Sequence, residues 1–214
     1  MVSSSKRFNA GAPEIYKGVI MINAIIEVFP VLMRGINITI TVFIFSAIFS
    51  YLFAFIAGLC RVSNNKFVRG GTGVYVEIFR GTSLIVQLFW LYYAIPMLFD
   101  VGIDNRLMAG VLAISLNYGA YMSEIVRGSI LAVDKGQTEA SIALNLTRFQ
   151  RMRLVVFPQA LRMMLPEFGN YLIQMLKATS LVSLIGMTDI LYHGNILRST
   201  TIKYTIFIIL NYCY

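Results

Sequence analysis

Gln87, Asn117 and Lys177 each lie inside a long apolar run, where a side chain that bonds or carries charge is out of place. A lysine near the middle of a bilayer crossing costs about 2.5–3.5 kcal/mol on insertion scales unless something shields it. Lys177 is therefore expected to face the interior of a helix bundle. It and Asn117 admit two chemistries, contact with a polar solute on a transport pathway or a bond between helices. Gln87 stands at a similar depth. Glu77 with Arg80, and Glu124 with Arg127, are three residues apart, a spacing that lets opposite charges pair on one helix face. Both pairs fall toward the ends of their runs, so structural pairing or snorkelling to the membrane surface is the expected role.

Reaction chemistry is missing by comparison. The chain has no G-x-x-x-x-G-K-[ST] loop to cradle ATP phosphates and no G-x-S-x-G elbow. A single histidine, His193, excludes an H-E-x-x-H zinc site. Neither catalytic nor metal-ligating residues are expected, and any work the protein does must be powered from outside the chain. Cys60 and Cys213 close apolar runs with no metal or disulfide spacing, and read as packing residues.

The elements that hold these polar groups must be membrane helices. The chain is 57% hydrophobic and 13% charged, with a mean hydropathy of +0.72. Soluble domains carry roughly a quarter charged residues. The net charge of +8 comes from basic residues clustered beside apolar runs, which encodes topology rather than nucleic-acid binding. Nothing alternates like barrel strands, and only helices and closed barrels satisfy the backbone in lipid.

Five crossings are expected: Ile36 to Cys60, about Val74 to Phe99, Leu107 to Ser123, Phe168 to Thr188, and Thr200 to the last residue. Arg61, Lys66 and Arg69 follow the first, and Lys135, Arg148, Arg151, Arg153 and Arg162 follow the third. The positive-inside rule then places the N-terminus outside and the C-terminus in the cytoplasm. Residues 18–33 contain Glu27 and Pro30 and would reach only ~24 Å as a helix. They are expected to lie as an interfacial helix within a tail of residues 1–34, ahead of a membrane domain spanning 35–214. The fifth crossing offers ~22 Å of helix against a ~30 Å core, so a complete version of the chain is expected to continue past Tyr214 into a basic tail.

One charged stretch, Glu139 to Pro158 within a loop of residues 134–165, interrupts this pattern. Asp134 or Thr138 can start a helix there, and Glu139 suits the positive end of its dipole. Asn145 is placed to end it, because asparagine tolerates the left-handed conformation. Thr147 and Gln150 form a capping box that opens a second, amphipathic helix, with Leu146, Phe149, Met152 and Val156 on its apolar side. Pro158 is expected to interrupt that helix. On these grounds alone the pair is a surface loop whose arginines meet anionic lipid.

The residues themselves suggest more. Glu139-Ala140-Ser141, then Asn145, then Val155-x-Phe157-Pro158 resembles the Glu-Ala-Ala loop of ABC importer permeases at matching spacing. Ser141, Asn145, Val155 and Phe157 replace that pattern's alanine, glycine, isoleucine and leucine. Arg80-Gly81-Thr82-Ser83-Leu84 with Gln87-Leu88, then Asn117, Ala120, Tyr121, Glu124, Arg127 and Gly128, then Lys177-x-Thr179-Ser180-Leu181, resemble the polar amino acid subfamily. Its members take up histidine, glutamine or arginine, with relatives carrying ectoine or opines.

The resemblance implies an all-α, MetI-like (type I) permease bundle in the inner membrane. It implies that Glu139–Pro158 is a coupling helix pair seated in a cleft of an ATP-hydrolysing subunit, which binds the ATP. A second permease chain and an external binding protein complete the implied assembly. A proton- or sodium-coupled carrier working alone is the competing class. It would favour paired inverted repeats, which the sequence lacks.

Overall fold

The computed structural model describes residues 14–99, 105–196 and 199. Every regular element among them is helical. Helix α1 spans Glu14–Val62, α2 Lys66–Gly81, α3 Leu84–Phe89 and α4 Ile95–Phe99. The long α5 covers Arg106–Ala132, followed by α6 at Lys135–Ala143, α7 at Arg148–Arg151, α8 at Phe157–Ala178 and α9 at Ile190–Ile196. The fifth expected crossing lies outside the described residues.

The chain divides into two compact units, Thr39–Met187 and a smaller one of Met1–Ile38 with Thr188–Tyr214. In the smaller unit, α1 passes so close to the backbone at Asp189 that a Cβ on Gly35 would lie 2.4 Å from the Asp189 carbonyl carbon. Only glycine permits that approach. Asp189, itself buried, accepts from the Tyr192 backbone N–H (2.9 Å) and so caps α9.

In the larger unit, α1 and α5 meet along small residues. Ser46, Ser50, Ala54 and Ala57 are buried on α1, facing Ser115 and Ala120 on α5. Ser50 donates to the Ser115 carbonyl (3.4 Å) and Ser115 to the Ser46 carbonyl (3.4 Å). A Cβ on Gly119 would lie 2.8 Å from Phe53, and one on Gly58 would lie 2.6 Å from Val126. Without a hydrophobic drive between helices in lipid, this close approach of backbones is what holds them. Another side of α1 packs on α8 through rings: Tyr51 and Phe55 stand edge-on to Phe168 at 5.2 and 5.7 Å.

Several expectations need correction. Residues 18–33 do not form a separate helix, since α1 runs unbroken through Pro30. Its membrane-length apolar part lies within Met33–Val62. The second crossing is not one helix either. It breaks at Thr82–Ser83, where α2 and the following helical segment meet at 105°. The fourth begins earlier than Phe168 and finishes as a 3-10 turn over Thr179–Ile185, capped by Gly186 at φ +76.

Pro158 does not end its helix. A π-turn over Met152–Val156 carries α7 into α8, and Pro158 follows it in the first turn of α8. The same device precedes Pro96, where Trp90–Ala94 is a π-turn between α3 and α4. The wider turn gives the proline ring and its missing N–H a place that a regular helix interior would not.

The α6–α7 pair forms as its sequence directs. Asp134 caps α6 by accepting from the Gly136 backbone N–H (2.6 Å). Asn145 adopts φ +55, with its N–H on the Ile142 carbonyl (2.9 Å) and the Leu146 N–H on the Ser141 carbonyl (3.1 Å). These two bonds make a Schellman ending. Thr147 and Gln150 exchange both bonds of the capping box that opens α7. Because the left-handed conformation costs about 1–2 kcal/mol for most L-residues and nothing for glycine, Asn145→Val should lower stability by that amount. Asn145→Gly should match or slightly exceed the wild type. Thermal unfolding in detergent reads both.

Candidate functional site

The break between α2 and α3 exposes the carbonyls that a continuous helix would have satisfied. In hydrocarbon such groups need protein partners. Thr82 turns its hydroxyl back to the Ile78 carbonyl (2.8 Å). The Phe79 carbonyl accepts from Gln87 Nε2 (2.8 Å) and from Asn117 Nδ2 (2.9 Å) of α5. The Tyr121 hydroxyl, one turn further along α5, donates to the Arg80 carbonyl (3.2 Å). Gln87 Nε2 also reaches the Thr82 hydroxyl (2.6 Å) and carbonyl (3.2 Å). The two buried amides seen in the sequence, Gln87 and Asn117, thus stitch the break.

Asn117 also opens onto a cavity of about 330 Å³, with Thr82, Ser83, Tyr121, Tyr171 and Gln174 in its wall. Hydroxyls, amides and tyrosine faces of this kind can bond and stack on a small polar solute. Since the Phe79 carbonyl has two donors, losing either one leaves the other in place. Asn117→Leu and Gln87→Leu should each cost about 1 kcal/mol. The double variant strips the carbonyl and should exceed the sum by about 1 kcal/mol. A double-mutant cycle on thermal unfolding tests this.

The expected pairing of charges is corrected by the structure. Glu124 does not bond Arg127, and Glu77 does not bond Arg80; among the described residues neither Glu77 nor Arg127 enters an ion pair. Glu124 instead joins Arg61 at the end of α1 and Arg80 at the end of α2 (3.2 Å). The pairing crosses helices because Asn117, Tyr121 and Glu124 recur at helical spacing and share the face of α5 that meets α2. Arg80 also lies over the Tyr121 ring, 5.3 Å from its centroid, a cation–π contact. The sequence contained that signal in the spacing of the three residues on α5.

Lys177 is exposed within this single chain, in the last turn of α8. The expected burial inside the bundle is therefore not provided by this chain. Its ammonium group also stands where the negative end of the helix dipole favours a cation.

The α6–α7 pair turns outward. Glu139, Ala140, Asn145 and Pro158 are exposed, Val155 and Phe157 are half-buried, and Ser141 alone of this group is buried. Ser141 donates to the Thr138 carbonyl (2.6 Å), which satisfies its buried hydroxyl within α6. Ile142, Leu144 and Phe149 are at least half exposed beside Glu139. A mixed acidic and apolar knob of this sort is an interface surface.

Fold and sites together define a helical membrane subunit with a protruding helix pair. The chain belongs to the family of binding-protein-dependent transport system inner membrane components, which matches residues 50–212. It is 49% identical over 170 residues to the probable amino-acid ABC transporter permease protein y4tF of Sinorhizobium fredii, covering 78% of this chain and 71% of that one. Identity to the probable amino-acid ABC transporter permease protein PatM of Vibrio harveyi is 35%, covering 85% and 82%. A crystal structure of an amino acid ABC transporter with histidines superposes with a TM-score of 0.77 at 35% identity, covering 83% of this chain and 82% of that one. The fold is accordingly that of an ABC importer permease, and the family consists of transport proteins rather than enzymes.

Proposed function

We propose that this chain is the membrane-spanning subunit of an ATP-driven importer of polar amino acids or similar small zwitterions. It takes substrate from an external binding protein and releases it to the cytoplasm by alternating access. The observation that carries this reading is the α6–α7 pair, whose Schellman turn at Asn145 presents Glu139 and its apolar neighbours to a soluble ATPase. The names of the relatives supply the solute class. The ATPase binds the ATP, and a second permease chain, copy or homologue, closes the pathway. The N-terminus lies outside the cell in this arrangement.

Within the pathway, Asn117 and Gln174 line the cavity, and Lys177 faces the second chain or the solute route rather than lipid. Gln87 acts through the break it stitches. Co-purification with an ATPase, and uptake in vesicles that stops without ATP or without the binding protein, test the assignment. Uptake driven by an ion gradient alone would overturn it. In the same vesicles Lys177→Met should keep its ATPase but lose at least about tenfold in uptake, the equivalent of ~1.4 kcal/mol.

A further inference from the structure

A cleft of about 650 Å³ opens between the ends of α1 and α5 and the α6–α7 pair. We propose that it holds the phosphate group of an anionic phospholipid. Leu59 and Val62 of α1, Ile130 of α5 and Met152 form its apolar side, and Arg148 and Arg151 its basic side. Val62 is the last residue of α1, and Ile130 lies in the last turn of α5. Charged residues begin at Arg61 on α1 and at Glu124 and Arg127 on α5, so the cleft stands at the polar ends of both helices.

Its charge is not answered from within. Among the described residues no acidic side chain lines it. With the Asn64 amide turned so that its oxygen faces the guanidinium, Arg148 donates to Asn64, a neutral partner that leaves the charge in place. Arg151 has a buried Nε with no hydrogen-bond partner among the described residues. That atom is closed off from the cleft, so it is the uncompensated charge of the two guanidinium groups that calls for an anion. Guanidinium groups bond phosphate and carboxylate oxygens alike two at a time, and the apolar wall beside them favours a lipid phosphate. The apolar wall is continuous with the α1 span, and it suits the glycerol and upper acyl carbons of a lipid better than a free anion. The proposal needs only that Met33–Val62 spans the membrane and does not depend on the ATPase reading.

Native mass spectrometry of the full chain in its transport complex tests it, using mixed micelles of detergent with phosphatidylglycerol or phosphatidylcholine. The wild type should retain phosphatidylglycerol over phosphatidylcholine by roughly thirtyfold, the effect of two arginines at an anionic headgroup. Arg148→Gln with Arg151→Gln should bring that preference close to one. Ser63→Glu puts a carboxylate in the cleft wall, offsetting one of the two guanidinium charges without emptying the site. It should cut the preference to roughly fivefold, and it carries the test if the double glutamine variant fails to fold. Unchanged retention in these folded variants overturns the proposal. So does displacement of the lipid by millimolar inorganic phosphate, which would mark a free-anion site. Loss of the ATPase subunit with lipid retention intact would instead assign the arginines to an acidic protein segment, and also overturns it.

Discussion

Replacing Glu124 with glutamine is expected to destabilise the bundle more than any other single change outside the apolar core. Glu124 is shared by Arg61 and Arg80, at 27% side-chain exposure against 14% and 42% for the arginines. Removing the carboxylate leaves two guanidinium groups facing each other across a half-buried gap. Loss of one member of a fully buried pair costs about 3–5 kcal/mol, and partial exposure of Arg80 lowers that to about 2–3 kcal/mol here. Thermal unfolding in detergent should show the drop, and chain abundance in the membrane should fall with it. Adding Arg61→Gln removes the repulsion, so the double variant should recover part of the loss. If Glu124→Gln unfolds with the wild type, the three charges are solvated singly and the junction of α1, α2 and α5 rests on packing alone.

Reversing Glu139 to lysine is expected to abolish transport without touching the fold. Glu139 is exposed and makes no ion pair among the described residues. Membrane insertion should not change, since an added lysine in this loop agrees with the positive-inside bias. Truncating one partner of a desolvated interfacial charge pair costs roughly 2–5 kcal/mol, and a reversal adds repulsion. The expected result is normal chain abundance, loss of the ATPase subunit on purification, and no uptake. Arg148→Ala is the companion variant, because it alters the basic side of the same loop and spares Glu139. Normal uptake and a retained ATPase in Glu139→Lys would refute the coupling role.

The parts legible in the sequence were those set by local chemistry. Asn145, Thr147 and Gln150 announced a left-handed turn and a capping box, and both form, because such motifs are decided within a few residues. Gln87 and Asn117 announced themselves as polar groups in hydrocarbon. Their shared target, the Phe79 carbonyl, was hidden because it is a backbone group freed only by the break at Thr82–Ser83. That break carries no proline, and Gly81 alone does not require a 105° bend. The pairing of Glu124 was misread since a spacing of three within a helix is visible in sequence, whereas the approach of Arg61 and Arg80 depends on how α1, α2 and α5 pack. Prolines misled for a related reason. Each π-turn absorbs its proline two residues later, and nothing in Met152–Val156 or Trp90–Ala94 advertises the wider turn.

The small-residue contact of α1 with α5 also fixes an order of events at the ribosome. Ser50 bonds a carbonyl 65 residues further along the chain. At about 5–20 residues per second, α1, which ends at Val62, is complete for roughly 3–11 s before that partner is synthesised. Through this interval the column of serine, alanine and glycine on α1 faces lipid or the insertion machinery, with its close-approach surface unfilled. The α2–α4 segment is made meanwhile and must leave that surface free. A bulky residue at Gly58 or Ser50 would thus act twice, first by removing the contact and then by favouring α2 as the nearer neighbour for α1 while α5 is still unmade.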